Sequence, residues 1–116
     1  MIRATFYRKG DKLCGFEISG HSGYAEEGSD IICASVSSAA YMAVNTVTEV
    51  IGDYGEATVD EGYLEFITES GKSEVQAVLK GLEFHVKALA GSMTNISFVK
   101  KKLFKRIIRR CNKCLR

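Results

Sequence analysis

Two residues able to do nucleophilic chemistry share one glycine-bearing segment, GHSGYAEEGSDIICASVSS, residues 20–38. His21 is one of two histidines in the chain, and Cys33 opens a run with helical apolar spacing. A thiol attacks a carbonyl as its thiolate, and an ordinary thiol pKa near ~8.5 leaves little thiolate at neutral pH. Placement in the first turn of a helix favours the anion, because unpaired N–H groups and the helix dipole stabilise negative charge there. An imidazole brought alongside takes the thiol proton and later returns it to a leaving amine. Gly23 and Gly28 give the intervening chain the freedom to bring His21 and Cys33 together across a groove. Backbone N–H groups after Cys33 are then natural donors to a tetrahedral oxyanion. Ser37 follows Cys33 by one helical turn, on the same face, within reach of a thiolate or a substrate.

Each of these residues also has an ordinary role. Cysteine is among the most buried residue types, so Cys33 equally suits packing. Asp30 fits a helix N-cap, or an orienter of His21 as third member of a triad. Ser37 fits a helix serine that bonds its own backbone. Spacing alone leaves these alternatives open.

The elements that must hold the segment follow from periodicity. Ile2, Ala4 and Phe6 alternate, as do Cys14, Phe16 and Ile18, around a turn at residues 9–12, which predicts a hairpin. Val36, Ala40, Ala43, Val44, Val47 and Ile51 share a helical face that Gly52 ends. A second hairpin is expected over 56–60 and 63–69. A second helix carries Val75, Val78, Leu79, Leu82, Val86 and Leu89 up to Gly91, and a last strand covers 94–99. Strand-strand-helix, twice, then a strand predicts an α+β fold: a two-layer α/β sandwich with a largely antiparallel sheet.

With 116 residues, 46% of them hydrophobic, the chain has the size and apolar content of one domain with a core. No apolar run reaches the ~18 residues of a membrane span. The alternating first residues do not form a signal-peptide block, so a cytoplasmic protein with four reduced cysteines is expected. Charge is divided unevenly. Residues 1–99 hold seven Lys/Arg and all fourteen acids, a net −7, whereas 100–116 hold nine Lys/Arg and no acid, a net +9. The expected division is a domain over 1–99 and a basic tail over 100–116.

The stretch G-H-S-G-Y-A-x-x-G-x-D-I-I-C-A-x-x-S resembles the signature of the ribosomal-processing cysteine proteases of bacteria, and the similarity extends over roughly residues 1–99. The resemblance implies that His21 is the catalytic histidine and Cys33 the nucleophile. It implies supporting roles for Asp30 and Ser37, and assigns Gly20 and Gly28 to the family's glycines. It further implies a homodimeric two-layer sandwich; separately, no motif in the chain suggests a metal, nucleotide or organic cofactor. The implied substrate is a precursor of large-subunit ribosomal protein twenty-seven, whose N-terminal extension is removed. The recognised extension ends in hydrophobic and aromatic residues, which makes Tyr24 and Tyr41 candidates for the wall of an apolar groove.

The tail, KKKLFKRIIRRCNKCLR, departs from the family pattern. Leu103, Phe104, Ile107, Ile108 and Cys111 fall at helical spacing among Lys and Arg, which describes a basic amphipathic helix. Three readings compete, in this order: a poorly ordered extension with no specific partner, a ribosomal RNA contact, and an anionic membrane surface. Cys111-x-x-Cys114 supplies two ligands where zinc takes four. Two rival functions remain at this level. One is a non-catalytic ribosome- or RNA-binding module working through the tail. The other is a thiol hydrolase that uses the same pair on small esters.

Overall fold

The computed structural model describes residues 2–20, 29–92 and 96–102, with the side chains of 29–33, 92 and 96–102 excepted. Strand β1 (Ile2–Lys9) and β2 (Lys12–Ser19) form a hairpin, followed by helix α1 (Ser29–Asn45), whose last turns widen into a π-helical segment, Thr46–Ile51. The second hairpin is β3 (Glu56–Asp60) with β4 (Tyr63–Ile67), and helix α2 (Ser73–Ser92) leads to β5 (Ile96–Lys102). Gly52 stops the first helix in the left-handed conformation, φ 77°, as expected for a glycine at that place. The predicted order of elements and the α+β two-layer sandwich are what the chain adopts.

The sheet has five strands in the order β3-β4-β2-β1-β5, antiparallel except where β5 runs parallel to β1. Two crossovers build the helical layer. From β2 the chain passes through α1 to β3 on one side, and from β4 it passes through α2 to β5 on the other. Those two journeys start on oppositely directed strands and travel in opposite directions, so the right-handed rule sends both helices to the same face. Ala4, Phe6, Phe16, Ile18, Leu64 and Phe66 of the sheet accordingly share one buried cluster with Val36, Ala40 and Val47 of the first helix, and with Val75, Leu79 and Val86 of the second. Phe6, Phe16 and Phe66 run across three strands as tilted ring pairs with centroids 5.8 and 6.0 Å apart, a favourable offset geometry.

One irregularity changes which side chains enter that core. Tyr7 pairs with Gly15 but Arg8 pairs with Leu13, so Cys14 is an extra residue in β2, a β-bulge. The alternation expected for Cys14, Phe16 and Ile18 therefore breaks at the bulge. Leu13 takes the core position, and Cys14 is buried beside Thr68 and Glu69 instead. Gln76 of α2 stabilises the bulge: its amide accepts from Leu13 N–H at 2.9 Å, and donates to the Leu13 and Ser70 carbonyls at 2.8 and 3.0 Å. Arg8, next to the bulge, reaches α2 through its Nη2, which donates to both carboxylate oxygens of Glu83 at 2.5 and 2.6 Å.

Candidate active site

Strand β2 points one end of the sheet toward the segment of interest. Its last residues are followed by Gly20, whose N–H donates to the Gly62 carbonyl in the β3–β4 turn at 3.1 Å. Gly20 has φ 126°, a conformation side-chain-bearing residues avoid, so the chain leaves the sheet here in a direction that glycine permits. Because α1 is the crossover that begins from β2, its N-terminus belongs to the same end of the sheet. The turn at Gly62, the start of β1 and the start of β5 lie at that end as well.

Helix α1 opens at Ser29, about three residues earlier than its apolar periodicity suggests. Asp30 is thus inside the first turn, where a carboxylate suits the positive end of the dipole, and the Cys33 backbone begins the second turn. Ser37, four residues further along the same helix, is half-buried on the flank of the core face. His21, Gly23, Tyr24 and Gly28 lie outside the described residues, as do the side chains of Asp30 and Cys33. Cys111 and Cys114 also fall outside them. Tyr41 is exposed on the outer side of α1.

His85, a packing or interface residue by its place on the second helix, is exposed and lines a groove between the two helices. The groove has a volume of about 660 Å³, with Ser38, Ala39, Ala77 and Gly81 among its small lining residues and Met42 at its edge.

The opposite face of the sheet holds a polar constellation that the sequence reading passed over. Glu17 and Glu65 are directly opposed across β2 and β4. Tyr7 donates toward both carboxylates, at 3.3 and 3.4 Å, and Tyr63 donates to Glu17 at 3.1 Å. Burial first, and then the charges of Glu17 and Glu65, push the Tyr7 hydroxyl well above the usual phenol range. Burial and the Glu65 charge, joined by the bond to Glu17, push Tyr63 up to about 12. The signal was available as acids and tyrosines at alternate positions of three strands, opposite the apolar alternation. At the far end of the sheet, the carboxylate of half-buried Glu69 is itself buried with neither oxygen hydrogen-bonded, and its counter-charge is Lys9 at 3.7 Å.

Among the described residues no helix is long and apolar enough to cross a membrane, and no group of three metal-ligating side chains occurs.

Comparison with known proteins settles the family. The profile described as Cysteine protease Prp matches residues 1–100. The ribosomal processing cysteine protease Prp of Bacillus subtilis is 34% identical over 93 residues, covering 71% of this chain and 80% of that protein. A solved protein of Streptococcus mutans superposes with a TM-score of 0.80 at 27% identity, over 89% of this chain and 96% of that one. The essential ribosomal processing protease Prp of S. aureus, solved with a substrate peptide, has the same fold, with a TM-score of 0.79 at 19% identity over 87% of this chain and all of its own. A chain whose first hundred residues carry this profile, folded as its relatives are, belongs to the Prp family of cysteine proteases.

Proposed function

We propose that the chain is an endopeptidase with Cys33 as nucleophile and His21 as its acid–base partner, acting on the N-terminal extension of a large-subunit ribosomal protein twenty-seven precursor. Family membership, together with the G-H…G-x-D-I-I-C-A segment joining the end of β2 to the start of α1, is the observation that carries this reading.

In the proposed reaction His21 takes the Cys33 proton, and the thiolate adds to the scissile carbonyl carbon. The resulting oxyanion is held by backbone N–H groups at the start of α1. Collapse breaks the C–N bond as the His21 imidazolium protonates the departing amine, leaving a thioester on Cys33. Water, deprotonated by His21, then attacks that thioester, releasing the carboxylate product and the thiol. One S. aureus relative is solved with a covalently linked product peptide, the kind of adduct such a pathway makes. With α1 already open at Ser29, Asp30 is not its N-cap; it orients His21, and its carboxylate also suits the positive end of the helix dipole, while Ser37 bonds the thiolate or the substrate. Gly20, Gly23 and Gly28 let the intervening chain accommodate a peptide.

The enzyme works in the cytoplasm as a homodimer. The apolar groove between α1 and α2, lined in part by exposed Met42, together with exposed Phe84 on α2, supports a partner on the helical layer. Ribosomal RNA competes for the basic residues after β5.

The test is cleavage of a peptide spanning the precursor's N-terminal extension, followed by mass spectrometry. Wild-type protein should cut at one bond, and Cys33→Ala and His21→Ala should each lose about 10³-fold or more of that rate. A freshly reduced wild-type protein that leaves the peptide whole would refute the assignment.

A further inference from the structure

Both crossovers place their helices on one face of the sheet, so a two-layer sandwich should leave the other face to solvent. The side chains there do not behave as solvent-facing ones. Thr5, Tyr7, Glu65 and Ile67 retain only 5, 4, 6 and 1% of their exposure, although among the described residues both helices pack against the opposite side. None of these four belongs to the helix-side core cluster.

That face is acidic and aromatic at its centre. Glu17 and Glu65 oppose each other in register, a like-charged pairing that is unfavourable on an open sheet, and the hydroxyls of Tyr7 and Tyr63 converge on it. A cover that suits it needs apolar side chains for Tyr7 and Ile67 and cations for the two carboxylates.

The chain itself contains such a segment. Residues 103–116 contain six Lys/Arg and no acid, with Leu103, Phe104, Ile107, Ile108 and Cys111 on one helical stripe. The segment begins where it needs to begin, because β5 ends at Lys102 beside Arg8 of β1, the strand that carries Thr5 and Tyr7. Fourteen residues as a helix reach about 21 Å, and the distance from β5 across β1 and β2 to β4 is about 14 Å. We propose that residues 103–116 fold as a basic amphipathic helix across the helix-free face, with the apolar stripe on Tyr7 and Ile67 and the Lys/Arg flank on Glu17 and Glu65. The occupant of this face is the protein's own C-terminal segment, which turns the two-layer sandwich into three layers.

Limited trypsinolysis of the full chain tests this, since the segment offers cleavage after Arg106, Arg109 and Arg110 and a docked helix must leave the sheet to be cut. The comparison is with Ile107→Asp/Ile108→Asp, which spoils the stripe without touching the sheet, and with Glu17→Arg, which reverses the central charge. Early cleavage in the full chain should be slower than in the double variant by about tenfold or more. Glu17→Arg should accelerate it by about threefold, with the circular dichroism of both variants otherwise native. Equal rates in wild type and double variant would overturn the proposal. So would protection that vanishes on dilution, which would make a second copy the occupant, or protection that requires added RNA.

Discussion

Gly15 shows how strongly one position can be dictated by its surroundings. A Cβ built there would stand 1.9 Å from the Phe66 carbonyl oxygen, and its φ of 147° is one that side-chain-bearing residues avoid. Gly15→Ala must therefore push β2 and β4 apart just where Tyr7, Gly15 and Ile67 are in register. We expect a loss of about 3 kcal/mol or more, read as a lower denaturant midpoint. The tyrosines make a prediction in the alkaline range. Tyr63 titrates near 12 when folded and near 10 when unfolded, so the protonated phenol favours the folded state. That contribution is complete below pH ~10 and is lost as pH rises toward ~12, because the unfolded chain releases its proton first. Tyr63→Phe should therefore lose less stability than wild type between those limits, measured by urea titrations at each pH. Glu69 makes a third case, as a buried carboxylate whose oxygens lack hydrogen bonds. Glu69→Met exchanges it for an apolar side chain of similar length, and should leave stability unchanged or raise it by about 1 kcal/mol, seen as an equal or higher Tm.

At the scale of elements, the amide of Gln76 binds the start of α2 to the bulged strand through three hydrogen bonds. Gln76→Ala leaves buried Leu13 groups without partners and should cost about 3 kcal/mol in chemical denaturation. Most elements were legible from periodicity, because their apolar residues repeat at 2 or 3.6 and the core takes up that pattern. Val36, Ala40, Ala43 and Val47 are all buried as their spacing requires. The bulge was not legible, since Cys14 and Leu13 are both apolar and alternation fits either register; the choice is made by Gln76, sixty-three residues away from Leu13. The start of α1 was legible to within a few residues: Asp30 read as a possible N-cap, whereas the helix already includes it and Ser29, which carry no apolar signal. The Glu17–Glu65 pair went unseen because acids on an outward alternation read as a solvated face, and only strand order brings them into register. Strand β3 is exposed at all five positions and lies at the sheet edge, where Glu56 and Asp60 discourage pairing with another chain.

For the whole molecule, family membership was legible because the residue types and order of residues 20–37 are distinctive, whereas the groove between the helices was not. That groove forms from small residues of two helices about forty positions apart in sequence, none of which signals anything alone. Met42, which lines the groove, retains 67% of its exposure, and Phe84, also on the helical layer, retains 77%. If the proposed homodimer pairs through this layer, Met42→Glu/Phe84→Glu should raise its dissociation constant by at least about tenfold, measured by sedimentation, with folding unaffected.

The direction of β5 has a consequence for how such a protein grows. This strand starts at the end of the sheet where β2 hands over to α1, and it carries the chain about 23 Å along the edge before it stops beside Arg8. New sequence added after Lys102 is thus delivered to the pole remote from the β2–α1 junction, where the proposed site lies. Extensions of any length can be gained, trimmed or repurposed there by drift, while the segment proposed to carry the chemistry, at the other pole, stays under separate selection.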